Sequence, residues 1–374
     1  MNGNLRLGNL FGIPFYVNVS WFLVLALVTW DYGGGLARAF PQLEGGLPWV
    51  LGLGAALLLF ASVLAHELGH SFAARRQGIG VNSITLFLFG GLAALEKESE
   101  TPKGAFWVAI AGPLVSFTLF TLFFTAGQVL PISGPVAGIV GLLAYINLAL
   151  GAFNLIPGMP LDGGNVLKAL VWQITGQPYK GLVVASRVGQ LIGWTAIVLG
   201  LGSVVGLSPI GSVWTLLIGL FMLQNANRTA QFGELQGRLT GLTAADAVVQ
   251  NSPIVMASTP LREFADTTLL SGALTWRKFL VVDETGTLIG TILVDALRQV
   301  PRETWAYTPV SAVMASATGL MTVSSDQPLL EVIQTLETQN QPALAVIRSD
   351  GSLAGLLEKS SIQALLQSPQ VQPA

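Results

Sequence analysis

Residues 50–74 read VLGLGAALLLFASVLAHELGHSFAA, a long apolar run that nevertheless carries His66, Glu67 and His70. About 20 apolar residues in a helix are enough to cross a bilayer core of about 30 Å. The run therefore predicts a membrane-spanning helix with ionisable side chains at hydrocarbon depth. Such groups are costly there unless they are paired or bound to a metal, so this stretch predicts a functional site together with the fold.

The composition extends this membrane character to the first 226 residues. The chain has 374 residues, is 52% hydrophobic and has a mean hydropathy of +0.63. Of its 18 basic and 20 acidic side chains, 16 fall in residues 1–226 and 22 in the shorter remainder. This balance excludes an ordinary soluble enzyme, a disordered chain and a nucleic-acid binder. The absence of cysteine excludes disulfides, a thiol nucleophile and thiolate-bound zinc.

Hydropathy predicts about six transmembrane helices and an integral, multi-pass membrane protein in contact with the lipid bilayer. The predicted spans are 14–30, 50–74, 104–127, 134–156, 182–206 and 211–226. An even number of spans places both termini on one side, and the basic residues identify that side as the cytosol. The basic residues of the loops on that side are Arg6, Arg75, Arg76, Lys97, Lys103, Lys168, Lys180 and Arg228, whereas the opposite loops contain only Arg38. We expect a bacterial inner membrane, with a plastid or archaeal membrane left open.

The two histidines of the chain are four residues apart in the second predicted span. That spacing puts His66 and His70 on one helix face, where both imidazoles can bind one metal ion. Glu67 lies beside the first histidine and can accept a proton from the attacking water in a hydrolysis. The alternative is a pair of hydrogen-bonded core histidines. The complete HExxH motif in an apolar helix favours the metal site.

Two histidines leave a zinc site short of one protein ligand, and Asp162 is the best candidate. It follows helix four in the segment 153–164, where two prolines and three glycines break the helix. Broken backbone at membrane depth is tolerated only where protein encloses it. Topology brings this segment to the same side as the end of helix two. The alternative role for Asp162 is an N-cap for a short helix over 163–174.

The other carboxylates of the membrane half are weaker candidates for that ligand. Asp31 and Glu44 belong to the opposite side, and Glu96, Glu98 and Glu100 form a polar connector.

These motifs resemble the site-2 protease family of intramembrane zinc metalloproteases. The resemblance covers residues 1–226 and rests on His66-Glu67-Leu68-Gly69-His70 and on Asn154…Pro157…Pro160-Leu161-Asp162-Gly163-Gly164. It implies that Zn²⁺ is bound by the residues matching His66, His70 and Asp162, and that Glu67 is catalytic. It also implies that Asn154 faces the active site and helps hold the scissile carbonyl or its oxyanion. Asn154 could equally hold the Pro-Gly turn by bonding its backbone.

Residues 81–95 are rich in β-branched and aromatic side chains and are interrupted by Gly90-Gly91. This pattern predicts two short strands, a small membrane-associated β-hairpin or sheet. Either the hairpin simply lies on the membrane, or its edge receives the substrate as an added strand. The resemblance favours the second role, since a substrate helix hides its scissile carbonyl in its own hydrogen bonds.

The second half of the chain contains an internal repeat. Residues 279–290 align without gaps with 344–355, and the pattern resembles a tandem pair of cystathionine-β-synthase-type (CBS) domains with an α/β fold. We therefore predict a metalloprotease domain at 1–226, a linker at 227–240, and CBS domains at 241–308 and 309–368 within 241–374. The pair is expected to be a regulatory or dimerisation module, which would make the protein a homodimer.

Nucleotide binding by this pair is left open by the sequence. The family's ribose-binding pattern has Thr or Ser, then Asp, at fixed offsets after the strand glycine. Those offsets hold Leu293 and Ala296 in the first repeat, and Glu358 and Ser361 in the second. A structural pair without nucleotide is therefore at least as well supported as a nucleotide sensor.

The resulting prediction is an intramembrane metalloendopeptidase of regulated intramembrane proteolysis. Its substrate would be a membrane protein, cut in a transmembrane segment near the cytosolic face. The alternatives are a membrane metallohydrolase of a non-protein substrate and a CBS-regulated metal or ion transporter. A transporter predicts polar groups along a pathway. Beyond the motif residues, the spans offer little more than Asn147 and Arg187, which indicates a site rather than a conduit.

Overall fold

A computed structural model describes residues 3–87, 90–270, 276–317 and 320–367. The chain divides into two compact units, Met1–Glu234 and Leu235–Ala374. The boundary falls inside a continuous helix that ends at Leu239, so the segment 227–240 assigned above to a linker is almost entirely helical.

The first unit is mainly helical. Its helices are α1 (Val19–Ala39), α2 (Leu47–Arg75), α3 (Pro102–Val129), α4 (Gly134–Asn154), α5 (Asp162–Thr175), α6 (Pro178–Val204) and α7 (Val213–Leu239). Within the described residues, α1, α2, α3, α4 and α6 are long and apolar enough to cross a membrane. The multi-span helical fold is thus confirmed. The sixth predicted span is the start of α7, whose apolar run ends at Leu223 before Gln224.

A four-stranded sheet accompanies the helices in the order β1-β2-β3-β4. Its strands are β1 (Asn4–Leu10), β2 (Ile13–Asn18), β3 (Val81–Phe87) and β4 (Gly90–Leu95). The outer pairs are antiparallel and β2 runs parallel to β3. The predicted hairpin over 81–95 is present as β3 and β4, while Leu88 and Phe89 lie outside the described residues. One edge of the sheet is β4, which pairs with β3 alone among the described strands.

The start of the first helix differs from the prediction. Residues 14–18 belong to β2, and α1 begins only at Val19. The Asn18 side chain accepts a hydrogen bond from the Ser20 amide and so caps the helix at this point. Buried Val17, Trp21 and Leu86 then pack with Phe60 of α2, which fixes the sheet against the helix that carries the HExxH motif.

Close helix crossings in this unit occur at glycines. A Cβ on Gly69 of α2 would lie 2.8 Å from the Ala111 carbonyl oxygen of α3. The fully buried Asn147 of α4 donates to Ser62 Oγ of α2 over 3.0 Å. Such contacts hold apolar helices together in a membrane, where there is no hydrophobic force between them.

The second unit contains two repeats, each built on a small sheet. The first repeat has β5 (Ile254–Met256), α8 (Leu261–Leu270), β6 (Lys278–Val282), β7 (Leu288–Leu293) and β8 (Ala315–Ser316). The second repeat has β9 (Thr322–Ser324), α9 (Leu329–Thr338), β10 (Ala343–Ile347), β11 (Leu353–Glu358) and α10 (Lys359–Gln367). The gapless alignment found in the sequence corresponds to β6-turn-β7 and β10-turn-β11. The two repeats share one buried cluster of Leu280, Val282, Ala345 and Leu353.

Candidate metal centre

The α2 helix brings the two histidines together as their spacing predicts. The rings of His66 and His70 have centroids 4.9 Å apart, and their Nε2 atoms are 3.2 Å apart. Both residues are buried. The helix geometry alone therefore supplies two nitrogen donors that point at one spot.

The third group is Asp162, in the first turn of α5. Its Oδ2 lies 3.0 Å from His66 Nε2 and 3.2 Å from His70 Nε2. The cap of α5 is Leu161, and no side-chain capping bond is made there. The geometry thus places the Asp162 carboxylate on the histidine pair and not in the N-cap position.

The chemistry of this donor set fits zinc. Two donor atoms about 2.0 Å from a tetrahedral zinc are about 3.3 Å apart, and the three separations here are 3.0, 3.2 and 3.2 Å. Among the described residues, His66, His70 and Asp162 are the one group of three or more such side chains whose ligand atoms converge within 4.8 Å.

The α3 helix orients both imidazoles through their other ring nitrogens, a feature that sequence reasoning missed. His70 Nδ1 lies 2.6 Å from the Val108 carbonyl oxygen, and His66 Nδ1 lies 2.9 Å from Ser116 Oγ. A carbonyl only accepts, so His70 Nδ1 carries the proton, and in the neutral imidazole Nε2 then presents a lone pair. Such partners fix the ring orientation and the tautomer of metal-binding histidines.

Gly112 of α3 lies directly against the donor atoms. A Cβ at this position would collide with His70 Nε2 and would come within 2.7 Å of His66 Nε2. The sequence carried a signal for this contact, since Gly112-Pro113 interrupts an otherwise apolar helix and Ser116 follows four residues later.

The α6 helix supports the broken segment that carries Asp162. The Met159 amide donates to the Ala185 carbonyl of α6 over 3.1 Å. A Cβ on Gly158 would lie 2.8 Å from Gly189 Cα, so the two backbones touch. The glycines of this segment are therefore required by close approach of the backbones.

Glu67 lies beside the edge strand β4. The Ala93 backbone N–H donates to its carboxylate, and a Cβ on Gly91 would come within 2.9 Å of Glu67 Oε1. The general-base candidate and the open strand edge are thus neighbours. Both features are visible in the sequence, but nothing in it indicates that they meet.

Asn154 is the last residue of α4 and is partly exposed. Within the described part of the chain its amide makes no hydrogen bond, so it does not hold the Pro-Gly turn together.

The remaining carboxylates of the membrane half lie elsewhere. Glu98 pairs with Lys168 and Glu100 with Lys97. Asp31 lines a cavity of about 330 Å³ between α1, α2 and α4.

In the second unit, the Ser361 hydroxyl lies 2.7 Å from the Ala247 carbonyl oxygen and 2.8 Å from that of Glu358, and it also accepts from the Glu358 amide. This side chain is therefore engaged inside the domain.

Gly112→Ala is expected to weaken zinc binding by about 10- to 100-fold, the range seen when the surroundings of metal ligands are disturbed. The added methyl group would displace the imidazoles. Zinc affinity of the purified full chain, measured by chelator competition, checks this.

Gly127→Ala on the same helix is the matched control, because its Cβ would make only an ordinary contact of 3.7 Å with Val140. Wild-type zinc affinity in Gly112→Ala would contradict the packing described here.

The model of peptidase family M50 matches residues 54–133 and 130–196, and the CBS domain model matches 310–368. "Putative zinc metalloprotease sll0528" of Synechocystis is 54% identical over 98% of this chain and 96% of its own length. "Putative zinc metalloprotease Rip3" of Mycobacterium tuberculosis is 32% identical over 98% and 93% of the two chains.

A solved structure, the site-2 protease from Methanocaldococcus jannaschii, is 29% identical to this chain with a TM-score of 0.44. The match covers 61% of this chain and 95% of that one.

Proposed function

The chain belongs to peptidase family M50, the site-2 proteases, and is a zinc metalloprotease with a C-terminal CBS domain; from this premise we propose that it cuts the transmembrane segment of a membrane-protein substrate near the cytosolic face. The observation that carries the proposal is the convergence of His66, His70 and Asp162 inside a membrane-spanning helix bundle, beside an open strand edge. Membership of this family sets aside the transporter considered above.

His66, His70 and Asp162 are the zinc ligands in this proposal. Two neutral imidazoles and one carboxylate match the ligand types of catalytic zinc sites, which keep a fourth position open. Zinc bound there supplies Lewis-acid polarisation of the peptide carbonyl and lowers the pKa of water. The chain itself contributes the fixed orientation of the donors, through Ser116 and Val108.

Glu67 is the proton carrier. It follows the first ligand on α2 and is held by the Ala93 N–H at the edge of β4. From there its carboxylate takes a proton from the attacking water and returns it to the leaving amine. Because Glu67 lies next to the strand that would bind substrate, its carboxylate can accept the proton from water and pass it over a short distance to the leaving amine.

The substrate binds as an added strand on β4. An open strand edge exposes unpaired N–H and C=O groups, which are tolerated at membrane depth only where a partner or a protein cavity satisfies them. A substrate segment that unfolds from its helix also exposes unpaired N–H and C=O groups. Pairing this segment with β4 would therefore satisfy the backbone of both strands. The bond placed beside Glu67 would then be the one that is cut.

The cytosolic side is supported by the position of the ligands along α2. His70 is five residues before Arg75, or about 8 Å along the helix axis. Arg75 and Arg76 mark the end expected to face the cytosol. With the start of α7 as the sixth crossing, we place both chain termini and the CBS pair in the cytosol, with a bacterial inner membrane as the setting. Cleavage at this depth releases the cytosolic part of a substrate, as regulated intramembrane proteolysis requires.

Glu67→Gln is expected to leave zinc binding nearly intact and to reduce cleavage by at least about 100-fold, because the amide cannot accept the proton. The measurement is cleavage of single-span membrane proteins in liposomes by the purified full chain, with zinc content measured in parallel. Addition of a zinc chelator to the wild type serves as the second arm. Similar cleavage by Glu67→Gln and the wild type would overturn the assignment.

Asn154 supplies a hydrogen-bond donor to the oxyanion that forms on the scissile carbonyl, since its amide makes no hydrogen bond within the described residues. Asn154→Ala is expected to lower kcat by about 100-fold, as removal of one oxyanion donor does, while zinc content and thermal stability stay unchanged. A variant with unchanged kcat but a lower melting temperature would instead assign Asn154 a structural role.

The tandem CBS repeats, 241–308 and 309–368, act as a regulatory or dimerisation pair that does not require nucleotide. The buried cluster that the two repeats share supports the pairing. Ser361 stands at a position of the ribose-binding pattern, and its hydrogen bonding inside the domain supports the absence of a bound ribose. Calorimetric titration of the full chain with ATP, AMP and adenosylmethionine is expected to give no heat. Zinc titration of the metal-stripped chain confirms that the sample is competent. Saturable heat with any of the three nucleotides would contradict the proposal.

A further inference from the structure

The acidic connector between β4 and α3, residues 96–101, contains an ion pair that the chemistry above does not use. Lys168 Nζ lies 2.5 Å from Glu98 Oε2. The Lys168 side chain is only 10% exposed, whereas that of Glu98 is 77% exposed. A nearly buried ammonium requires a partner, so Glu98 is drawn onto α5 while most of its own surface remains in solvent.

This pair joins the two sides of the metal centre. Lys168 belongs to α5, which begins with Asp162, and Glu98 follows β4, whose edge holds Glu67. Two further bonds of the connector run back to the α2–β3 turn: the Glu96 amide donates to the Gly80 carbonyl over 2.9 Å, and Ser99 Oγ donates to Gln77 Oε1 over 3.1 Å. These two bonds hold the connector to the turn that follows α2, the helix that carries His66 and His70. The Lys168–Glu98 pair links it to α5, the helix that begins with Asp162.

We propose that the Lys168–Glu98 pair is a positioning contact that holds the open edge of β4 at a fixed distance from α5. This inference rests on the proposed function, since the held edge is the one that receives substrate. The pair touches neither the metal ligands nor Glu67, so its effect is on how the substrate strand is seated.

The same connector provides a matched control. Lys97 Nζ lies 2.5 Å from Glu100 Oε1, but both side chains are more than half exposed and the pair closes within one turn of chain. The hydrogen bond from Lys97 holds the pKa of the Glu100 carboxyl below its usual value. This second pair has the same length and charges as the first but reaches no other helix.

The kinetic test compares Glu98→Gln with Glu100→Gln in the liposome assay. Glu98→Gln is expected to raise KM by about fivefold with little change in kcat or zinc content, a modest effect because Glu98 is largely exposed. Glu100→Gln should match the wild type. The double exchange Glu98→Lys with Lys168→Glu should recover most of the loss. Wild-type KM in Glu98→Gln, or equal effects of the two Gln variants, would overturn the proposal.

A structural readout keeps the test independent of any substrate. The chain has no cysteine, so nitroxide labels can be placed at Leu92→Cys on β4 and Gln173→Cys on α5, both exposed. Electron-electron resonance should show a broader label-to-label distance distribution in Glu98→Gln and an unchanged one in Glu100→Gln. If the wild-type protein cleaves no substrate, the proposed function is wrong. The distance measurement still shows whether the Lys168–Glu98 pair positions β4 relative to α5. An unchanged distribution in Glu98→Gln overturns the inference by itself.

Discussion

The contact of the Asp162 carboxylate with both histidines is the interaction on which the rest of the first unit depends. It joins α2 to the segment after α4, across 92 and 96 residues of chain. A carboxylate and two imidazoles enclosed together are costly unless they share a metal or a proton. Much of the surrounding structure follows from bringing them together: the break after Asn154, the close approach of Gly112, and the backbone contact between Met159 and Ala185.

A second constraint is the unpaired backbone of a broken helix and a strand edge among membrane-spanning helices. Hydrocarbon offers no partner for a free N–H or C=O, so broken helices and strand edges must be enclosed by protein. Here the broken segment rests on α6, and the strand edge lies against Glu67. The elements that are expensive in lipid are therefore gathered around one site, next to His66, Glu67 and His70.

Much of this arrangement could be predicted from residues near each other in the chain. The i, i+4 spacing of His66 and His70 dictates a shared face, and the strand pattern of 81–95 was correct. The first span was placed too early because residues 14–18 pair as part of β2, and Asn18 caps the helix that follows. The partners of the histidines, Ser116 and Val108, could not be inferred, since a backbone carbonyl leaves no mark in a sequence and a lone serine in an apolar helix most often bonds its own backbone.

The sequence by itself determined which chemistry is available: two histidines, no cysteine and an HExxH motif in an apolar run leave a metal bound by imidazole and carboxylate in a membrane-spanning helix. Only the tertiary structure shows that the Asp162 carboxylate lies against both imidazoles and that the edge of β4 meets Glu67. The physical reason is the distance along the chain over which each kind of interaction acts. Helix and strand periodicity act over a few residues, whereas Asp162 and the histidines are 92 and 96 residues apart. They meet where glycines let α2 contact α3 and let the segment before α5 contact α6.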